Sequence, residues 1–77
     1  MNDTPDLDAL GLLCPLPVLK LRKRMAPLEP GAVMTMVADD PAAAIDVPHF
    51  CQEQGHDLVS VEDLGFPKQR YVVRKGG

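Results

Sequence analysis

Two prolines separated by a single residue, Pro15 and Pro17, constrain this chain more than any other feature, because proline is costly inside a helix and nearly neutral in its first turn. They fix a helix start just after a short apolar strand, Leu7 to Leu10, and either proline can be the first helical residue. Each proline also pushes its predecessor away from the helical region. That suits Cys14 as an extended cap residue and puts Leu16 under tension if the helix opens at Pro15. Cys14 therefore stands at the positive end of a helix, where the amides of Leu16 and Val18 favour a nearby negative charge. The expectation is an exposed, reactive thiol that ionises below the range of a free cysteine, by a modest amount because two prolines remove two amides. The competing view makes Cys14 a packed filler following Leu12 and Leu13, and it leaves the flanking prolines without a purpose.

Beyond that start, apolar residues at Val18, Leu21 and Met25 keep helical spacing, with Lys20, Arg22, Lys23 and Arg24 as a basic outer face, and the helix ends before Pro27. Glu29-Pro30-Gly31 is turn chemistry, and Ala32 to Ala38 is an apolar run broken only by Thr35, which predicts a central strand. Asp39-Asp40-Pro41 supplies a cap followed by proline at the first helical position of a second helix, about Pro41 to Gln54, closed by Gly55. Pro48 interrupts it, so a kink or a late true start near Asp46 is expected. Asp57 to Glu62 alternates with Val59 and Val61 on one face. After a turn at Leu64-Gly65-Phe66-Pro67, the strand Gln69 to Lys75 places Tyr71 and Val73 inward, completing an antiparallel hairpin. The order strand, helix, strand, helix, strand, strand predicts an α/β two-layer sandwich, βαβαββ, with a four-stranded mixed sheet and two helices on one face.

The 77 residues predict a single domain, residues 1–77, with flexible ends at 1–5 and 76–77. A chain this short buries only about 60 to 65% of its unfolded surface, so chemistry is expected at the surface and not in a deep pocket. Eleven acidic against eight basic residues give net charge −3, which disfavours generic nucleic-acid binding. The start, Met1-Asn2-Asp3-Thr4-Pro5-Asp6, is acidic where a secretory signal is basic and then apolar, and no apolar run approaches the roughly 20 residues of a membrane span. A cytoplasmic protein is expected, with Cys14 and Cys51 as free thiols.

Cys51 shares a helix face with Ala43, Ala44 and Val47 and is expected to be an inert core thiol. His49, Cys51 and His56 lie at uneven spacing and lack a fourth ligand, so no metal or other cofactor is expected. Asp39 and Asp40 are better explained by capping than by acid/base work. The basic set Lys20, Arg22, Lys23 and Arg24, with Arg70, Arg74 and Lys75, is either a solvated face or a docking patch for an acidic protein surface or a stretch of RNA backbone. No base stands at a diagnostic spacing from Cys14, so the catalytic groups for any transfer are expected to come from partner proteins.

The segment Leu7-Asp8-Ala9-Leu10-Gly11-Leu12-Leu13-Cys14-Pro15-Leu16-Pro17-Val18 resembles the TusA/SirA-type sulfur carriers, whose hallmark is a glycine a few residues before a Cys-Pro-x-Pro motif at the start of helix one. The likeness runs on through Ala38-Asp39-Asp40-Pro41, Asp46-Val47-Pro48-His49-Phe50-Cys51, Gly55-His56 and Arg70-Tyr71-Val72-Val73-Arg74-Lys75. Leu13 stands where many members carry arginine, and Leu16 where some carry glutamate. The resemblance implies that Cys14 takes sulfur as a persulfide from a cysteine desulfurase or rhodanese and passes it to an acceptor protein, in some members toward 2-thiouridine in tRNA. Gly11, Pro15 and Pro17 then serve as the motif that shapes the helix start. Such a protein is a sulfurtransferase only in the weak sense of a covalent carrier. It has protein partners and no direct nucleic-acid or membrane partner. A thiolate that attacks a donor persulfide agrees with that role. Two other classes remain: a non-catalytic protein- or RNA-binding module, and a carrier that holds sulfur as a thiocarboxylate on Gly76-Gly77.

Overall fold

A computed structural model describes residues 6–76. Its elements are β1 (Leu7–Ala9), α1 (Leu16–Met25), β2 (Val33–Ala38), α2 (Ala43–Gln54), β3 (Asp57–Asp63) and β4 (Gln69–Arg74). They form one four-stranded mixed sheet in the order β1-β2-β4-β3, with β1 parallel to β2 and the two remaining pairings antiparallel. This is the expected βαβαββ sandwich, with β2 in the interior of the sheet as its apolar run predicts.

Alternation along the strands sets the core. Leu7 pairs with Met36 and Met36 with Tyr71, while Met34 pairs with Val73. All five side chains are buried, and with Ala9 and Ala38 they meet Leu21 and Met25 of α1 and Ala43, Val47, Phe50 and Cys51 of α2. Both helices therefore cover the same sheet face, and each large side chain buried there contributes about 1.5–3 kcal/mol. The opposite face is open and polar in part: Arg70 pairs with Glu62 and Arg74 with Asp57 across the β3–β4 ladder.

Several boundaries differ from expectation for local reasons. β1 ends at Ala9, not Leu10, because the Leu10 amide turns to Oδ1 of Asp8 at 2.9 Å. α1 opens at Leu16, with Pro15 at the cap and Pro17 in the first turn, and Pro17 joins Leu21 and Met25 on the buried stripe while Val18 is only half-buried. The second helix lies close to the expected span of about Pro41 to Gln54, and of the two alternatives at Pro48, a kink or a late start near Asp46, the late start does not occur. The helix begins at Ala43 and runs through Pro48, its entry held by a turn in which the Ala43 and Ala44 amides donate to the carbonyls of Asp40 and Pro41. Packing of Ala43, Val47, Phe50 and Cys51 against the sheet offsets the bond lost at Pro48. Val59 and Val61 do not simply alternate, since a register shift between Leu58 and Ser60 leaves Val61 opposite Tyr71 and Val59 in the irregular segment. The expectation of a flexible segment 1–5, and of flexibility at Gly77, falls outside the described residues. Gly76 donates its amide to Nδ1 of His56 at 2.9 Å.

Candidate functional site

Cys14 is exposed, at the end of the loop that joins β1 to α1. The loop starts at Gly11, whose φ of +80° is the left-handed conformation that glycine adopts without strain; a Cβ there meets no atom within 4 Å, so conformation and not space selects the residue. Asp39 and Asp40, at the end of β2, brace this loop from the side. Oδ1 of Asp39 accepts the Gly11 amide at 2.9 Å, and Oδ2 of Asp40 accepts the Cys14 amide. The other oxygen of Asp40 accepts the Ala42 amide at 3.1 Å. The aspartate pair is thus a clamp between the Cys14 loop and the entry to α2, where the sequence pointed only to a helix cap.

That clamp corrects the expectation of an activated thiolate. Pro15 and Pro17 have no amide, the Leu16 amide donates to the Leu13 carbonyl at 2.8 Å, and the Cys14 amide is taken by Asp40. The sulfur itself donates to Oδ2 of Asp46 on α2 at 3.0 Å. The hydrogen bond to Asp46 is the main cause that pushes the Cys14 thiol up, with desolvation and the negative charges of Asp46 and Asp40 adding to it. Carboxylates outweigh the helix end, so the resting group is a protonated thiol. Asp46, 32 residues away, reaches the sulfur although no base stands at a diagnostic spacing from Cys14. No short-range spacing signals it, because the two residues meet only when α1 and α2 pack side by side.

A groove of about 300 Å³ leads from Cys14 between the two helices, lined by Val18, Leu19 and Arg22 of α1 and by His49, Phe50 and Glu53 of α2, among others. His49 Nε2 lies 3.4 Å from Glu53. The expected basic set divides around this groove. Arg22 lines it, whereas Lys20 donates to the Asp8 carbonyl at 3.1 Å and Arg24 to the Asp6 carbonyl at 3.2 Å, on the β1 side of the helix. Lys23 is exposed on the same helix. Arg70 and Arg74 are occupied by Glu62 and Asp57, and Lys75 donates to the Met25 and Ala26 carbonyls at the end of α1. Lys75 thus meets the end of α1, while Arg70 and Arg74 are paired with carboxylates of β3.

The segments around the sulfur also expose large apolar side chains, which the sequence reading missed: Leu13, Leu16 and Leu19, with Ile45 next to Asp46. Their signal was present in the spacing, since Leu16 and Leu19 fall off the buried stripe of Pro17, Leu21 and Met25. Cys51 is buried at 2% exposure, and burial pushes its thiol up, with the charge of Asp57 adding to the effect. His49, Cys51 and His56 do not converge: His49 faces the groove, Cys51 the core, and His56 the tail. Among the described residues no three His, Cys, Asp or Glu side chains form a cluster able to hold a metal ion. Among the described residues no helix is long and apolar enough to cross a membrane.

The two-layer βαβαββ domain thus presents an exposed thiol at a loop–helix junction. Residues 6–75 match the family model described as sulfurtransferase TusA, and the chain belongs to that family. The fold is similar to that of a SirA-like protein from Desulfitobacterium hafniense, with a TM-score of 0.79 and 25% sequence identity over 92% of this chain and 96% of that one. The family places the chain in sulfur relays, between donor and acceptor proteins.

Proposed function

We propose that this protein is a persulfide carrier in which Cys14 accepts sulfane sulfur from a cysteine desulfurase or rhodanese and hands it to an acceptor protein. The observation that carries this reading is the contrast between two thiols in one chain: Cys14 exposed beside an open groove, Cys51 sealed in the core. A covalent carrier needs access from two different proteins in turn, and an exposed sulfur at a loop end provides it. The exposed Leu13, Leu16, Leu19 and Ile45 fit transient protein contacts, with Arg22 as the docking cation that lines the groove beside Cys14 and Lys23 exposed on the same helix, while Lys20 and Arg24 are turned to the β1 side. Gly11, Pro15 and Pro17 shape the turn that presents the thiol. The cytoplasm is the compartment proposed for this exchange, and thiolation of tRNA is one pathway it serves.

Against the thiocarboxylate alternative stands the Gly76 amide, which is held by Nδ1 of His56. Incubation with a cysteine desulfurase and cysteine, followed by peptide mass spectrometry, tests the proposal. One added sulfur atom is expected on the peptide containing Cys14, none on that containing Cys51, and none in Cys14→Ser. Sulfur retained in Cys14→Ser points to the tail, and no adduct on any peptide points to a non-catalytic binding module.

A further inference from the structure

Resting on the carrier reading, we infer that Asp46 is the proton-accepting and positioning residue of the Cys14 thiol: its Oδ2, 3.0 Å from Sγ, holds the S–H along the mouth of the interhelical groove and takes its proton as the incoming sulfur bonds. Three observations converge on this role. Asp46 sits in the first turn of α2, a rigid element whose entry is tied through Asp40 to the Cys14 loop itself, so the carboxylate and the sulfur are set by one clamp. Cys14 is exposed and Asp46 half-buried, and both line the same groove, which is open to a donor. Every charged group around the sulfur is accounted for: Asp40 from the β2–α2 connection, Asp46, His49 and Glu53 from α2, and Arg22 from α1. Of these, Asp46 is the one hydrogen-bonded to Sγ. The upward push on the thiol has this hydrogen bond as its largest cause, in agreement with the geometry.

The chemistry balances without an oxidant. Cys14 enters as a thiol and the donor as a protein persulfide. As Sγ bonds to the outer sulfur of the donor, the Sγ proton passes to Asp46, the donor S–S bond breaks, and the electron pair leaves on the donor thiolate. Asp46 then returns the proton to that thiolate, leaving a persulfide on Cys14 and a thiol on the donor. A carboxylate is a weak base toward a thiol, so the proton stays on sulfur until a donor is seated. The carrier is thereby kept from ionising, and from the oxidation that follows thiolate character, while it is free in solution.

The test uses the full chain and follows alkylation of Cys14 by iodoacetamide against pH, read on the Cys14 peptide, in wild type, Asp46→Asn, Asp46→Ser and Asp46→Glu. In Asp46→Asn and Asp46→Ser the midpoint is expected at lower pH, and the rate at neutral pH rises about three- to fourfold for each unit the midpoint falls, since lower basicity offsets part of the gain in thiolate. Asp46→Glu, which keeps a carboxylate within reach, is expected to restore the wild-type profile. In loading by a persulfidated desulfurase, the Asn and Ser variants are expected to lose turnover with little change in KM. An unchanged alkylation midpoint in both Asn and Ser variants, or loading at the wild-type turnover, overturns the assignment. A wild-type protein that alkylates as described and never takes up sulfur refutes the carrier reading instead, so the two failures are distinct.

Discussion

The amide of Cys14 donates to Oδ2 of Asp40, 26 residues later in the chain, and this one carboxylate also accepts the Ala42 amide at the entry to α2. A single side chain thus fixes the position of the sulfur relative to the second helix. Asp40→Ala removes both acceptors. The expected outcome is a loss of about 1–3 kcal/mol, the range for a lost charged acceptor or helix-entry cap, seen as a lower urea midpoint with an unchanged slope. Hydrogen exchange at Cys14 and Ala42 should rise together. Protection retained at Cys14 contradicts the clamp.

The two thiols of the native protein should separate cleanly in an alkylation experiment. Cys14 is exposed but held up mainly by its hydrogen bond to Asp46, so its rate against pH should have a midpoint above that of a free cysteine. The sign follows from the folded value lying above the unfolded one. The preference for the protonated thiol stabilises the fold fully below the unfolded thiol's range and is lost as pH rises through the folded value. Cys51, at 2% exposure, should react only after denaturation. Labelling of Cys51 in native protein, or a Cys14 midpoint below that of free cysteine, contradicts the structure.

Arg22 should matter more than its basic neighbours. It lines the groove beside Cys14, whereas Lys20 and Arg24 donate to the Asp8 and Asp6 carbonyls on the far side of α1. Arg22→Ala is expected to raise KM for sulfur loading and to weaken its salt dependence, with fold stability changed by less than about 0.5 kcal/mol, as for a surface substitution. Lys20→Ala and Arg24→Ala should leave loading within about twofold of wild type, since neither charge faces the approach of a donor. Equal effects from all three place the docking face elsewhere.

Much of the fold was legible because it depends on local periodicity. The alternation that buries Tyr71 and Val73, the apolar run of β2, and the helical stripe ending at Met25 each carry their own burial pattern. Burial of Cys51 followed from a helix face of the same kind, and exposure of Cys14 from its place ahead of a proline-fixed helix start. The protonation state of Cys14 did not, because it is set by Asp40 and Asp46, which arrive from 26 and 32 residues away. A helix-end argument sees only the first turn, where two prolines and the Leu16–Leu13 bond leave little to offer the sulfur. The late-start alternative for α2 failed for a related reason. The turn through Asp40 and Pro41 begins the helix ahead of Pro48, and core contacts of Val47 and Phe50 carry it through. The sequence left the role of the basic tail open because pairing across β3–β4, which occupies Arg70 and Arg74, is a property of register and not of sequence proximity.

The C-terminal tail should be released by acid. The Gly76 amide donates to Nδ1 of His56 at 2.9 Å, a bond that requires that nitrogen to be unprotonated, and the His56 ring lies against Phe50 with centroids 5.5 Å apart. Desolvation first, and the charge of Lys75 second, push His56 below the ordinary histidine value. A folded value below the unfolded one means that docking contributes fully above the ordinary histidine range and is lost as pH falls through the lowered value. The protection of the Gly76 amide, its exchange rate taken relative to that of an unstructured chain at the same pH, should therefore fall on going from pH 7.5 to about 5, while the amides of β2 keep theirs. Gly76→Ala provides an independent check, because a Cβ at that position lies 1.7 Å from the Gly55 carbonyl oxygen, a backbone atom with no freedom to move aside. That variant should show the low protection at residue 76 already at pH 7.5. If both His56→Ala and Gly76→Ala keep wild-type exchange at residue 76 across this range, the tail is not docked through the histidine.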